Sequence, residues 1–396
     1  MRFLKVAAII AEFNPLHNGH KYLIDKARSM GAEQIIVILG GNFTQRGDLA
    51  LFSKFTRAET ALACGADLIA ELPISQTVAC AQLFATGGVF IAAALGADTL
   101  IFGSESGDIE GLKRTSDQLD SPLLKSDLRK NLSLGKTYAA AQKAAFDSVF
   151  ASNMDLSLPN DILGIEYISA IKKNGGAVNP ICIKRLAVAH DSDKVNDELC
   201  IASASAIRQM LCTQGPDRAM KYLPSESHGI VKRAFNSGEI ADINRISTAI
   251  LCKLRTMSIE DYVWLPDISE GLEHRIKKAV EQSCDLNSLL SNIKTKRYTM
   301  ARIKRLIISA FLDIDNTAAK RPLEYIRILG CSKNGIEYIR KNIANFPIPV
   351  ALRTTDITDT EQFKLECRAT DLYNLALAQP KCMNLELTFP LITDIL

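Results

Sequence analysis

Residues 11–20 read Ala-Glu-Phe-Asn-Pro-Leu-His-Asn-Gly-His and directly follow the apolar run 6–10. Two histidines three apart, with a glycine between them, fall where a first strand should turn into a helix. A helix N-terminus presents unpaired N–H groups and a partial positive charge, which suits a phosphate. Gly19 lets the backbone approach a ligand closely, because no side chain stands in the way. His17 and His20 can then reach one anion together as donors. Pro15 fits a turn that is not itself helical, and residues 21–27 continue as a helix. A histidine beside an apolar run is usually only a satisfied packing residue. Here the chain has five histidines in all and two of them stand in this one turn. The reading is phosphate chemistry.

A second constellation is Ser203-Ala204-Ser205-Ala206-Ile207-Arg208, at a strand-to-helix junction. Serine hydroxyls and helix N–H groups can hold the outer phosphates of a triphosphate, and an arginine adds a planar fork of donors. The ordinary alternative is an N-cap serine beside a surface arginine. Pairing with the histidine motif favours Ser205 and Arg208 as ligands of the β- and γ-phosphates. The loop Gly40-Gly41-Asn42-Phe43-Thr44-Gln45-Arg46-Gly47 would shape an acyl or phosphate pocket, or else be a plain glycine-rich turn. Asn160, in Pro159-Asn160-Asp161-Ile162-Leu163-Gly164, either starts a helix or bonds a base or ribose. Arg185 adds a basic residue at a strand end. Residues 294–305 carry Lys294, Lys296, Arg297, Arg302, Lys304 and Arg305 around Tyr298. Helical spacing puts several of these on neighbouring turns, a face suited to a phosphodiester backbone or simply to solvent.

These residues need elements to hold them. The first half alternates short apolar runs (6–10, 34–39, 68–72, 99–102) with helix-like stretches (22–30, 57–64, 79–94). Strands buried on both faces and separated by helices predict an α/β fold with a doubly wound parallel sheet. Ligands of such sheets bind beyond the carboxyl ends of the strands. The histidine motif, the glycine-rich loop and Gly103-Ser104-Glu105-Ser106 all lie there. A helical insertion is expected at about 107–175, a further strand at 178–184 and a helix at 203–212. Beyond about residue 215 the pattern becomes helical and basic, which predicts an α-helical C-terminal domain over 216–396.

With 396 residues, two or three domains are expected. A composition of 47% hydrophobic and 23% charged residues is that of a globular protein, and a net charge of +3 neither demands nor excludes nucleic acid. Ten scattered cysteines form no C-x-x-C pair, so a zinc site is not expected and a reducing cytoplasm is. Arg2 and Lys5 precede an apolar run that Glu12 cuts short, which reads as a buried strand rather than a secretory signal. No stretch is long enough to span a membrane.

The joint set of motifs adds Phe-Gly-Ser-Glu, Pro-Asn-Asp-Ile-Leu-Gly-Ile-Glu-Tyr, Thr-Lys-Arg-Tyr-Thr-x-x-Arg-Ile and Glu366-Cys367-Arg368-Ala369-Thr370-Asp371. His-x-Gly-His and the Ser-x-Ser-x-Ile-Arg string each resemble signatures of the nucleotidylyltransferase superfamily. Together, and in this order, the motifs resemble the bacterial tRNA(Met) cytidine acetate ligase family along nearly the whole chain. That resemblance implies a Rossmann-like nucleotidylyltransferase core over 1–215, binding ATP, and a tRNA-binding domain over 216–396. It implies that ATP and acetate form acetyl-adenylate, and that the acetyl group passes to the exocyclic amine of the wobble cytidine of elongator tRNA(Met). The implied ATP site comprises Ala7, Glu12, Phe13, Asn14, Pro15, Asn18 and Gly19, with Gly103, Asn160 and Arg185. His17 and His20 would face the α-phosphate, and magnesium would accompany the triphosphate. No protein partner is implied. Two departures stand out: Ser205 fills a place usually held by threonine, and Val188-Ala189 is unusual before His190-Asp191. Two rival functions share parts of the pattern. One is an adenylyltransferase for a phosphorylated metabolite, and the other is a non-catalytic RNA-binding protein.

Overall fold

The computed structural model describes residues 5–119, 121–136, 138–150, 158–185, 195–196, 200–269, 271–357 and 359–393. Its strands are β1 (Val6–Ala11), β2 (Gln34–Gly40), β3 (Leu68–Leu72), β4 (Thr99–Ser104), β5 (Asn179–Lys184), β6 (Val195–Asn196), β7 (Ile201–Ala202), β8 (Ile326–Cys331), β9 (Val350–Ala351) and β10 (Ile392–Thr393). The main sheet runs β10-β8-β3-β2-β1-β4-β5, with β9 beside β8. From β3 to β5 every pairing is parallel, and β1 lies at the centre between β2 and β4. The strands are apolar on both faces because both are covered. Ile36 and Ile38 look toward one layer, and Ile35, Val37 and Leu39 toward the other. The expected doubly wound parallel core is present.

The C-terminal half is helical, with one correction. β8 pairs antiparallel with β3, and β9 and β10 pair parallel with β8. A lone six-residue run, Ile-Arg-Ile-Leu-Gly-Cys, interrupted by Arg327, carries too little period to stand out among helices. The exposed margin of β3 offers unpaired N–H and C=O groups, and β8 satisfies them. The C-terminal helices, among them Ser247–Thr256, Leu272–Glu281, Leu286–Ile293, Met300–Leu312 and Glu361–Asn374, surround their own core. Phe43, Leu49, Ile74 and Val78 from the first half enter that core. Between β4 and β5 lie helices Ile109–Leu119, Pro122–Ser133, Tyr138–Phe150 and Pro159–Lys173. The last is not an outlying insertion. Its Ile165, Tyr167 and Ile168 pack with Phe84 and Phe102 under the sheet, as a crossover helix must.

Candidate active site

β1 ends at Ala11 and its chain turns sharply before the helix Asn18–Ser29 begins. His17 is the N-cap of that helix. Its Nδ1 accepts from the Gly19 N–H at 3.1 Å, while Nδ1 of His20 accepts from the His17 N–H at 3.3 Å. This is a capping box written with imidazoles instead of Ser and Glu. The two rings stack, with centroids 3.7 Å apart. An imidazole that accepts at Nδ1 carries its proton on Nε2 when neutral, so the backbone fixes both rings as Nε2–H donors. Gly19 leaves room for the His17 ring. A Cβ would come within 3.0 Å of His17 Cε1.

Several buried contacts hold this turn. Arg57, 1% exposed, donates to the carbonyls of Phe52, Glu12, Gly40 and Gly41. It thereby ties the ends of β1 and β2 together, and burial pulls its guanidinium down to about 10. The Asn14 side chain accepts from Leu51 N–H at 2.8 Å, and its carbonyl accepts from Arg208 Nη1 at 2.8 Å. Glu12 Oε1 accepts from the Gln45 N–H at 2.6 Å. Burial pushes the Glu12 carboxyl above its ordinary range, against the Gln45 hydrogen bond and the charges of Arg57, Arg46 and Arg208, which pull it down.

Glu12, Asn14, Gln45 and Arg208, with the two histidines, wall a cavity of about 880 Å³ beyond the carboxyl ends of β1, β4 and β5. Of the expected ligands, Glu12, Phe13, Asn14, His17, Gly19, His20, Gly103, Asn160, Arg185, Ser205 and Arg208 line it. Ser203 caps the helix Ala204–Gln214 through the Ala206 N–H, and its hydroxyl sits 2.9 Å from that of Ser205. Asn160 donates its amide and its backbone N–H to Glu105, while Asp161 accepts from Ser104 Oγ and the Glu105 N–H. This reciprocal pair joins the loop after β4 to the helix Pro159–Lys173. Burial lowers the Arg185 guanidinium, with Glu105 opposing. From the glycine-rich loop, Thr44, Gln45 and Arg46 reach the cavity. Asn42 turns away and bonds the Lys54 N–H and Thr370 Oγ1.

Three expected ligands lie elsewhere. Ala7 is fully buried in mid-strand, paired with Ile35 and Thr99. Pro15 is buried behind the wall. Both amide hydrogens of Asn18 are committed to the carbonyls of Cys200 and Lys221, which anchors the helix start rather than a ligand. His190 and Asp191 fall outside the described residues.

The basic segment is also not one uniform face. Lys294 Nζ donates to the carbonyls of Thr295 and Tyr298. Arg302 donates to Asp267 O and Ser269 Oγ and lies over the Tyr298 ring. Lys304 bonds both carboxylate oxygens of Asp48 at 2.8 and 2.9 Å, and Arg305 donates to the Gln45 carbonyl. Gly47, at φ +76°, lies so close to this helix that a Cβ would meet Arg305 N at 2.4 Å. Lys304 and Arg305 therefore dock the helix Met300–Leu312 onto the cavity loop, while Lys296 and Arg297 are exposed.

Sequence reasoning missed Arg57 and a buried charge cluster. Lys54 meets Glu71 and, at 2.7 Å, Glu386. Glu386 also pairs with Arg327, and Glu366 stands 3.9 Å from Lys54. The one available signal was Glu366 and Thr370, a helical turn apart and so on one face.

Paired imidazoles at a helix start, set at the central strand of a parallel sheet and beside a deep cavity, fit the class of nucleotidyl transferases. The family model described as HIGH Nucleotidyl Transferase matches residues 4–386. The tRNA(Met) cytidine acetate ligase of Caldanaerobacter subterraneus subsp. tengcongensis is 34% identical, covering 98% of this chain and all of the relative. The Bacillus subtilis protein of the same name is 30% identical over 95% of this chain and 94% of its own. Among solved structures, Thermotoga maritima TmcAL bound with alpha-thio ATP matches with a TM-score of 0.89 at 29% identity, covering 98% of this chain and 99% of that one. Its apo form matches at 0.91. The chain belongs to the tRNA(Met) cytidine acetate ligase family.

Proposed function

We propose that this chain uses ATP to activate acetate and then acetylates the wobble cytidine of elongator tRNA(Met). In the first step an acetate oxygen attacks the α-phosphorus, and pyrophosphate leaves with the broken P–O bond. In the second, the exocyclic amine attacks the acetyl carbon, AMP leaves and the amine loses a proton. The observation that carries the reading is the stacked His17–His20 pair, whose Nε2–H groups are fixed by backbone hydrogen bonds. Negative charge grows on the equatorial oxygens of the α-phosphorus, and pre-set donors stabilise it without reorganising. Ser205 and Arg208, on the same cavity wall, suit the β- and γ-phosphates.

Among the described residues no group of three or more His, Cys, Asp or Glu could hold a metal ion. Magnesium would arrive on the triphosphate's own oxygens, and no step here is assigned to it. Lys296 and Arg297, exposed just ahead of the helix Met300–Leu312, are the proposed contacts to the tRNA backbone. No helix among the described residues is long and apolar enough to cross a membrane. Ten free thiols suit a reducing cytoplasm, where the tRNA is met.

The test is incubation of the chain with ATP, isotope-labelled acetate and tRNA, followed by mass spectrometry of the digested nucleosides. Labelled N4-acetylcytidine at the wobble position is expected. Adenylation of a phosphorylated metabolite with no acetate incorporation would replace this reading by the metabolic one.

A further inference from the structure

One part of the cavity wall is apolar and lies under the sheet. Ile10, Phe84, Phe102 and Tyr167 line it, are all buried, and belong to one apolar cluster. Two helical glycines let this wall close up. A Cβ on Gly88 would meet Ile10 Cδ1 at 2.6 Å, and one on Gly164 would meet Phe102 Cε2 at 2.5 Å. This wall of the cavity is therefore hydrophobic and firmly packed.

Tyr167 is its polar feature. The residue is 2% exposed and its ring is tilted against Phe102 at 5.6 Å. Its hydroxyl has no hydrogen-bond partner among the described residues, yet is not one of the polar atoms sealed from solvent. A buried phenol almost always finds a partner. A hydroxyl that opens into a cavity without one marks where a ligand oxygen belongs. Burial pushes this phenol up, so it keeps its proton and can donate. Glu12 would repel an anion here if charged. Burial favours its neutral form, and Arg57, Arg46 and Arg208 supply opposing positive charge.

We propose that this part of the cavity is the seat of the short carboxylate, with the Tyr167 hydroxyl donating to a carboxylate oxygen and Ile10, Phe84 and Phe102 enclosing the alkyl end. Such a seat limits the acid by size. This inference rests on the acetate-activating reading above, and goes beyond it in naming the acyl subsite.

The experiment is acetate-dependent exchange of pyrophosphate into ATP by the full chain, with acetate, propionate and butyrate as acids. Tyr167→Phe removes one oxygen that bonds nothing in the protein, so the variant should fold. Loss of a hydrogen bond to a charged group should raise KM for acetate about tenfold while KM for ATP holds. Phe84→Ala should raise the butyrate-to-acetate ratio of kcat/KM about tenfold or more. An unchanged KM for acetate in Tyr167→Phe, or an unchanged acid preference in Phe84→Ala, overturns the subsite alone. Wild-type chain that exchanges pyrophosphate with no acid overturns the parent reading, and the subsite with it.

Discussion

His20 does two things at once. Its Nδ1 closes the cap of the helix Asn18–Ser29, and that same bond sets the proton on Nε2, the atom proposed to face the α-phosphate. Structure and chemistry are thus tied in one ring, and substitution strikes both. Loss of a single positioned donor in a water-poor site typically lowers turnover by about 10²- to 10³-fold. His20→Ala should reduce acetate-dependent pyrophosphate exchange to that extent, measured at saturating ATP. Exchange near the wild-type rate would remove the histidines from the α-phosphate. Arg57 belongs to the other kind of site residue. It spends its hydrogens on four carbonyls at the strand ends and acts on chemistry only by holding the turn.

At the scale of elements, the helix Met300–Leu312 changes meaning between sequence and structure. Its charge run suggests an even polyanion face, but Lys304 and Arg305 are spent on Asp48 and the Gln45 carbonyl. The partly exposed Lys304–Asp48 pair adds at most about 1 kcal/mol of stability. Lys296 and Arg297 precede the helix and remain exposed. Replacing both by Ala should weaken tRNA binding and reduce the slope of log K against log salt by about 1 to 2, with pyrophosphate exchange retained. A slope identical to wild type, read by filter binding over a salt series, would mark the segment as solvated surface. The same contrast shows what the sequence could reveal. The strand–turn–helix at the histidines was legible because apolar period, turn residues and chemistry coincide within fifteen residues. β8 was not, since a short buried run identifies itself only through the neighbour it pairs with. Ala7 and Asn18 do not line the cavity, and motif membership does not say which way a side chain points. Tyr167 was hidden for the opposite reason: a tyrosine on an apolar helix face reads as ordinary core.

Across the whole molecule, the two halves of the chain meet in buried charge. Lys54 and Glu71 come from the first half, and Arg327, Glu366 and Glu386 from the second. Burial, with the nearby Glu71, raises Glu366 from an ordinary 4.5 to about 8. A carboxyl with a raised folded-state pKa binds more protons folded than unfolded across that interval. Stability should therefore fall as pH rises from about 4.5 to about 8 and then level off. Glu12 shifts the same way and adds to the slope. Urea midpoints of wild type and Glu366→Gln over this range test it. The variant should show the shallower decline, and parallel curves would free Glu366 from the effect. The antiparallel pairing of β8 with β3 has a consequence in time as well as in space. Translation delivers His17 and His20 early and the strands that flank β3 on its far side late. A chain released halfway would carry its chemistry beside a naked, adhesive sheet margin, so premature termination should yield aggregates rather than a small working enzyme.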